Sequence, residues 1–327
     1  GPDTGAVYWS TSPYIPRTTT RIDLEGLFGT SAPGAFDYCG ESVAMCVSAG
    51  SALAAMGAPG YDVDDNFKSG TVYVVKQRRG PVSGSGQLRL TPYLIPNHRP
   101  DLFKQFGRSV DLYDDNGTPY LIVGALNRQG PNDTGVQGSG IAFVYKYSSL
   151  ADKWTRMSPA LVPLDTQPLY DNCAESVSLT RHEGDLLALI GCPSANVDTL
   201  VSPGMAFLYV EDGGVWNYAN EIIASNRQSG DSFGYAVAID DRIAIGAPNA
   251  GSGNTGSVYV NAVPSVDSTP GRTIARSSDQ PFDPADLGSN TRGIGHADGV
   301  IGLADVRAVI DVWGGCDHGC DYLNCHG

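Results

Sequence analysis

Residues 173–193 read CAESVSLTRHEGDLLALIGCP, an alternating apolar run, a polar turn and a second, nearly continuous apolar run. Period-two alternation puts neighbouring side chains on opposite faces of a strand, and a short polar break between two such runs marks a hairpin. The turn falls at His182-Glu183-Gly184-Asp185. Three other stretches share the pattern. They are CGESVAMCVSAGSALAAMGAP from Cys39, FGRSVDLYDDNGTPYLIVGAL from Phe106 and FGYAVAIDDRIAIGAP from Phe233. Their starts are separated by 67, 67 and 60 residues. No long stretch before about residue 300 carries the 3.6-residue period of a helix.

Each hairpin is followed by a polar, Gly-rich loop and a third strand. These strands read GTVYVVK from Gly70, GIAFVYK from Gly140, GMAFLYV from Gly204 and GSVYVNA from Gly256. A fifth copy, GAVYWST, begins at Gly5. Fourth strands are expected at Thr20 to Leu27, Gln87 to Ile95, Lys153 to Val162 and Val215 to Ala224, with Trp154 and Trp216 in matching places. Four antiparallel strands per repeat is the form of a propeller blade, and a blade buries both faces only when it stacks on its neighbours. The expected fold is therefore all-β. It is a β-propeller of four-stranded antiparallel blades, with four full repeats and a partial first one, over residues 1–278.

The elements FG-x-[SA]-V-A, IGAP and GSVYV resemble FG-GAP repeats, the blades of integrin α-chain-like propellers. Phe233-Gly234 with Gly246-Ala247-Pro248 carries the resemblance best, and it extends over roughly residues 1 to 262. Cys39 and Cys173 stand where the pattern has Phe, and Leu126 where it has Pro. The resemblance implies a scaffold. Gly permits close packing, and Pro after the second strand ends pairing because it has no N–H. It also implies calcium loops in the first hairpins. Asp111, Asp114, Asp115 and Asn116 come near that pattern but at the wrong spacing. The expected ring either closes with a split blade, continues in further repeats, or is completed by another subunit through an exposed blade edge. Thr269 to Ser277 is the candidate closing fourth strand.

Composition adds the setting. Glycine at 41 residues, proline at 21 and only 17% charged residues agree with short strands joined by turns. A formal net charge of -14 repels nucleic-acid phosphates, so no nucleic-acid partner is expected. No run of 18 apolar residues predicts a membrane span. Seven cysteines and the sequons at Asn116 and Asn132 point to a secreted or cell-surface protein. The first residue is Gly, so the sequence reads as a mature or trimmed product. Cys173 and Cys192 lie on opposite arms of one hairpin and are expected to pair. Cys39 and Cys46 cannot bridge each other along one regular strand.

From Asp279 the pattern changes, so 279–327 is read as a linker, a small helix and a Cys-rich tail. Leu303, Val306, Val309, Ile310 and Trp313 fall at helical spacing. The segment resembles half of a dockerin-type repeat, which implies Asp298 and Asp305 as calcium ligands. Ile294 and His296 occupy two further ligand places, and an amphipathic helix docked by its apolar stripe is the alternative. Cys316, Cys320 and Cys325, with His318 and His326, leave three readings open: disulfides, a zinc site, or a variant of c-type haem attachment.

No P-loop and no H-E-x-x-H motif occurs, and the loop acids Asp62, Asp64, Asp65 and Asp133 read as solvated. The expectation is a non-catalytic extracellular module for adhesion or assembly, a subunit of a surface filament, whose partners are other protein subunits or cell-surface glycans. The alternative is a secreted propeller that binds or degrades carbohydrate, with Tyr14, Tyr61, Tyr93 and Tyr120 as candidate sugar-stacking rings.

Overall fold

The computed structural model describes residues 7–9, 20–34, 36–63, 68–77, 90–96, 104–126, 140–162, 172–264 and 277–279. The chain is all-β, a propeller whose four small antiparallel sheets are set radially in sequence order. An N-terminal pair, β1 (Tyr8–Trp9) and β2 (Thr20–Arg21), precedes a short helix, α1 (Leu24–Phe28), and a single 3-10 turn at Gly29–Ser31. The first blade is β3 (Val43–Ser48), β4 (Ser51–Ala58), β5 (Thr71–Gln77) and β6 (Leu90–Pro96). The second is β7 (Lys104–Asp115), β8 (Thr118–Leu126), β9 (Ile141–Ser148) and β10 (Lys153–Arg156). The third is β11 (Ser176–His182), β12 (Asp185–Cys192), β13 (Met205–Asp212) and β14 (Val215–Ala224). The fourth holds β15 (Ala236–Ile239), β16 (Arg242–Ala247) and β17 (Ser257–Ala262). A last strand, β18 (Ser277–Asp279), runs parallel to β14 at the rim of the third blade.

Within each blade, strands pair in sequence order, so β3, β7, β11 and β15 are innermost and touch one another around the axis. The alternation of the hairpins is used on both faces. In β12, Leu187 and Leu189 face the fourth blade, while Leu186, Ala188 and Ile190 face the second. Three apolar cores result, one at each junction between consecutive blades. The burial of large aliphatic and aromatic side chains there is what holds the array together; each fully buried one contributes about 1.5–3 kcal/mol before entropic costs.

Three further contacts repeat at every junction. Ser42 donates its hydroxyl to the carbonyl of Gly107 at 2.8 Å, Ser109 to Ala174 at 2.7 Å, and Ser176 to Gly234 at 2.9 Å. Beside each serine, a glycine of the second strand leaves room for that same carbonyl. A Cβ on Gly57, Gly124 or Gly191 would stand 1.9, 2.3 or 1.9 Å from it. The residue before each blade entrance, Tyr38, Gln105, Asn172 or Ser232, takes a positive φ between 48° and 60°.

Several expectations are corrected. Among the described residues the fourth blade holds three strands, and 269–276 of the expected closing strand lie outside them. Thr20 to Leu27 is a strand only at Thr20–Arg21. Asp23 then caps α1 by accepting from the Gly26 N–H at 3.0 Å, and that carboxylate stops the extended chain. Ser277, the end of the expected closing strand, belongs to a strand on the third blade rather than the fourth. The dockerin-like segment and the tail, with Asp298, Asp305, Cys316, Cys320 and Cys325, lie outside the described residues, as do Tyr14, Asp64, Asp65, Asn132 and Asp133. Among the described residues, no helix is long and apolar enough to cross a membrane.

Candidate active site at the axial mouth

One position of each repeat, immediately after the entrance pair Cys/Phe-Gly/Ala, brings polar chemistry to the axis. It holds Glu41, Arg108, Glu175 and Tyr235 in successive blades. Arg108 lies between the two glutamates. It donates from Nε at 3.1 Å and from Nη2 at 2.6 Å to Oε1 of Glu175, and from Nη1 to Oε1 of Glu41. The hydrogen bonds to Glu175 raise the basicity of the guanidinium, outweighing its partial burial, so it stays a cation. Tyr235 follows Glu175 in the row and is 53% exposed. The row thus offers two carboxylates on either side of a fixed cation, with an open aromatic ring beyond Glu175.

Sequence reading passed over this row, although the repeat period contains it. Arg108 is 67 residues from each glutamate, one repeat away, and equal positions in consecutive repeats become neighbours around an axis. The expected sugar-stacking rings have other roles. Tyr120 is buried; Tyr61 packs edge-on to Tyr73; Tyr93 donates to Asp152 at 2.6 Å and meets Tyr147 edge-on.

The opposite, hairpin-tip end is built for cohesion. Asp111, the first of the calcium-like acids, is half-buried between the second and third blades. Its Oδ2 accepts from Ser178 Oγ at 3.1 Å and from the Leu179 N–H at 2.8 Å. Burial still pushes its carboxyl above the usual range. Asp115 takes a bidentate pair of 2.7 Å bonds from Arg181 of the next blade, and Asp114 accepts from the Gly117 N–H at 2.9 Å. Among the described residues, no group of three or more His, Cys, Asp or Glu side chains is placed to hold a metal ion. Asn116 is exposed at the tip of the β7–β8 turn. Cys173 and Cys192 form a disulfide with Cα atoms 3.9 Å apart. Cys39 and Cys46 are free thiols, each pushed up to about 12 by burial and by nearby aspartates.

Two strings have the residue order of catalytic or nucleotide motifs. Gly230-Asp231-Ser232-Phe233-Gly234 has the order Gly-x-Ser-x-Gly. It leads into a strand, not a helix, and the Ser232 hydroxyl meets the Asn249 amide at 3.1 Å rather than a base. Its strained φ is shared with Tyr38, Gln105 and Asn172, so the strain belongs to the repeat and not to a nucleophile. Gly251-Ser252-Gly253-Asn254-Thr255-Gly256 has the order of a dinucleotide fingerprint, but it joins two antiparallel strands and opens no helix.

The family described as FG-GAP repeat matches residues 216–261. The match runs from the outer strand of the third blade through the fourth. One blade of this propeller is thus similar to an FG-GAP repeat. No curated protein matches the chain. Solved structures similar to it include a Hadza microbial sialidase (12% identity, TM-score 0.40), covering 67% of this chain and 43% of that one. A GH43_1 enzyme from Xanthomonas citri, complexed with xylotriose, is similar at 10% identity and TM-score 0.42, covering 68% and 70%. A levansucrase variant from B. megaterium is similar at 8% identity and TM-score 0.38, covering 68% and 66%. The chain therefore spans less than half of the sialidase and about two thirds of the levansucrase. The expectation of a chain without catalysis is withdrawn: each of these similar structures is an enzyme, and the likeness is one of fold alone. The likeness is loose, and no residue role passes from those enzymes to this chain.

Proposed function

We propose that this propeller acts on carbohydrate, with the sugar held at the axial mouth by Glu41, Arg108, Glu175 and Tyr235. The observation that carries the proposal is the shared hold of Arg108 on both glutamates. Sugar hydroxyls are recognised by charged, orientationally fixed donors and acceptors, and sugar faces by an open aromatic ring. The row supplies both. Glu175, held by two hydrogen bonds from Arg108, is a fixed acceptor. Glu41, on the far side of the same cation, supplies a second carboxyl. Arg108 orients both.

The test is glycan-array binding together with reducing-sugar release from a polysaccharide panel, comparing wild type with Glu175→Gln and Tyr235→Ala. Binding or turnover that falls at least tenfold in both variants, with the fold intact by circular dichroism, supports the proposal. Carbohydrate binding unaffected by either change would place the site elsewhere, and a blank panel for wild type would end the carbohydrate reading.

A further inference from the structure

The formal charge of the axial row bears on which sugars it can take. The carboxyl groups of Glu41 and Glu175 stand against the single guanidinium of Arg108, which leaves the row with a negative surplus. These groups are held partly out of water: the side chains of Arg108, Glu41 and Glu175 are 30%, 32% and 13% exposed. Charge is screened less in such a place than at a free surface. Arg108 offers little to an anion, because each of its three nitrogens already donates to a glutamate. The glutamates are less fully engaged. Each accepts through Oε1, and among the described residues no hydrogen bond reaches Oε2 of either one. Two carboxylate oxygens, one on each side of an occupied cation, are therefore left to accept from a ligand. Tyr235 comes next along the row, within electrostatic reach of Arg108 and with its ring open to solvent. The face of an aromatic ring is negative, so it attracts a cation as well as the C–H face of a sugar. The chain as a whole adds to the same sign, with a formal net charge of -14.

We infer that the axial mouth selects cationic amino sugars, units that carry a free, protonated amino group, over neutral sugars and over sugar acids. This selectivity rests on the carbohydrate reading of the same row and adds to it the charge of the ligand. The ammonium donates to Oε2 of a glutamate in a charge-assisted hydrogen bond, and the Tyr235 ring takes the apolar face of the sugar. An N-acetylated unit keeps the ring and its hydroxyls and loses the charge. A uronic acid brings a further carboxylate against the two already present, while the cation that would receive it is held by both. Discrimination then comes from repulsion as well as from attraction.

The test uses the full chain and oligosaccharides of equal length built from glucosamine, N-acetylglucosamine and galacturonic acid. Titration calorimetry, at a pH where the amine is protonated, is expected to give a Kd about tenfold lower for the glucosamine oligomer than for either of the others, the scale of one hydrogen bond to a charged group. Added salt is expected to weaken the glucosamine oligomer and to leave the N-acetylated one unchanged. Glu41→Gln keeps the size of the side chain and is expected to remove most of the preference. Asp212→Asn removes one charge at the far end of β13, on the hairpin-tip side, and is expected to leave the preference intact. Circular dichroism checks the fold of both variants, and the salt titration of the wild type decides the matter without either. Equal or tighter binding of the N-acetylated or acidic oligomer, a salt effect shared by the neutral and charged oligomers, or an equal loss in Asp212→Asn would each overturn the selectivity while leaving sugar binding in place. Failure of every oligomer to bind, together with a blank glycan array, would instead end the carbohydrate reading and the selectivity with it.

Discussion

Ser109 reaches across a blade junction to hydrogen-bond the main-chain carbonyl of Ala174 at 2.7 Å, and the bond is buried. The link is directional, each blade gripping the next. It runs from Ser42 to Gly107, Ser109 to Ala174 and Ser176 to Gly234, and it stops at the fourth blade, where Ala236 holds the serine position.

Removing that hydroxyl leaves a buried carbonyl without its partner, which costs about 1–3 kcal/mol. Ser109→Ala is therefore expected to lower unfolding stability by that amount in urea titration. Ala236→Ser, which restores the hydroxyl where no next blade stands among the described residues, is expected to change stability by less than about 0.5 kcal/mol. Equal effects of the two changes would mean the junction bond contributes nothing.

The glycines give a sharper contrast. A Cβ at Gly191 would sit 1.9 Å from the Gly234 oxygen, whereas at Gly246 the nearest neighbour is 3.5 Å away, on its own blade. Gly191→Ala is expected to destabilise by about 1–3 kcal/mol, the usual cost of overpacking. Gly246→Ala is expected to be neutral or slightly stabilising, because alanine loses less backbone entropy. Differential scanning calorimetry of the two variants checks both.

The Cys173–Cys192 bond spans 19 residues of one hairpin. Closing a loop of that length restricts the unfolded chain by about 3 kcal/mol. The Cys173→Ala/Cys192→Ala double variant is expected to lose stability of that order, and reduction of the wild type to have a similar effect. Free thiols counted before and after denaturation verify the bond state.

Asp111 predicts a pH effect of definite sign. Burial raises its carboxyl pKa in the fold above the unfolded value, so the folded state binds the proton more tightly. Its contribution to stability is fully present below the unfolded pKa of an aspartate and is lost as pH rises through the raised folded value. Asp111→Asn has no such titration. The stability of wild type relative to Asp111→Asn is expected to increase as pH falls from 7 towards about 4. A difference flat across that range would show that the Ser178 and Leu179 bonds fully offset the burial.

The blades were legible because a strand writes a period of two into its side chains, and because each hairpin recurs with its turn and following Gly-led strand. The third-strand copies at Gly70, Gly140 and Gly204 lead directly into β5, β9 and β13. The outer strands were harder to place. At Thr20 the pattern continued, yet Asp23 caps a helix after two residues, a local side-chain bond that outweighs strand propensity. The axial row stayed hidden for a different reason. Glu41, Arg108 and Glu175 look like ordinary surface charges within their own repeats, and acquire meaning only when positions one repeat apart are laid side by side. Residue type alone marks Tyr61, Tyr93 and Tyr120 as sugar-stacking rings, and packing gives all three to structural contacts.

Tyr38, Gln105, Asn172 and Ser232 share a left-handed backbone and nothing else: an aromatic ring, two amides and a hydroxyl. None is branched at Cβ, the feature that this region of backbone space tolerates least. Each doorway of the array thus fixes a backbone corner and admits side chains of different chemistry upon it, valine, isoleucine and threonine being the poorest fits.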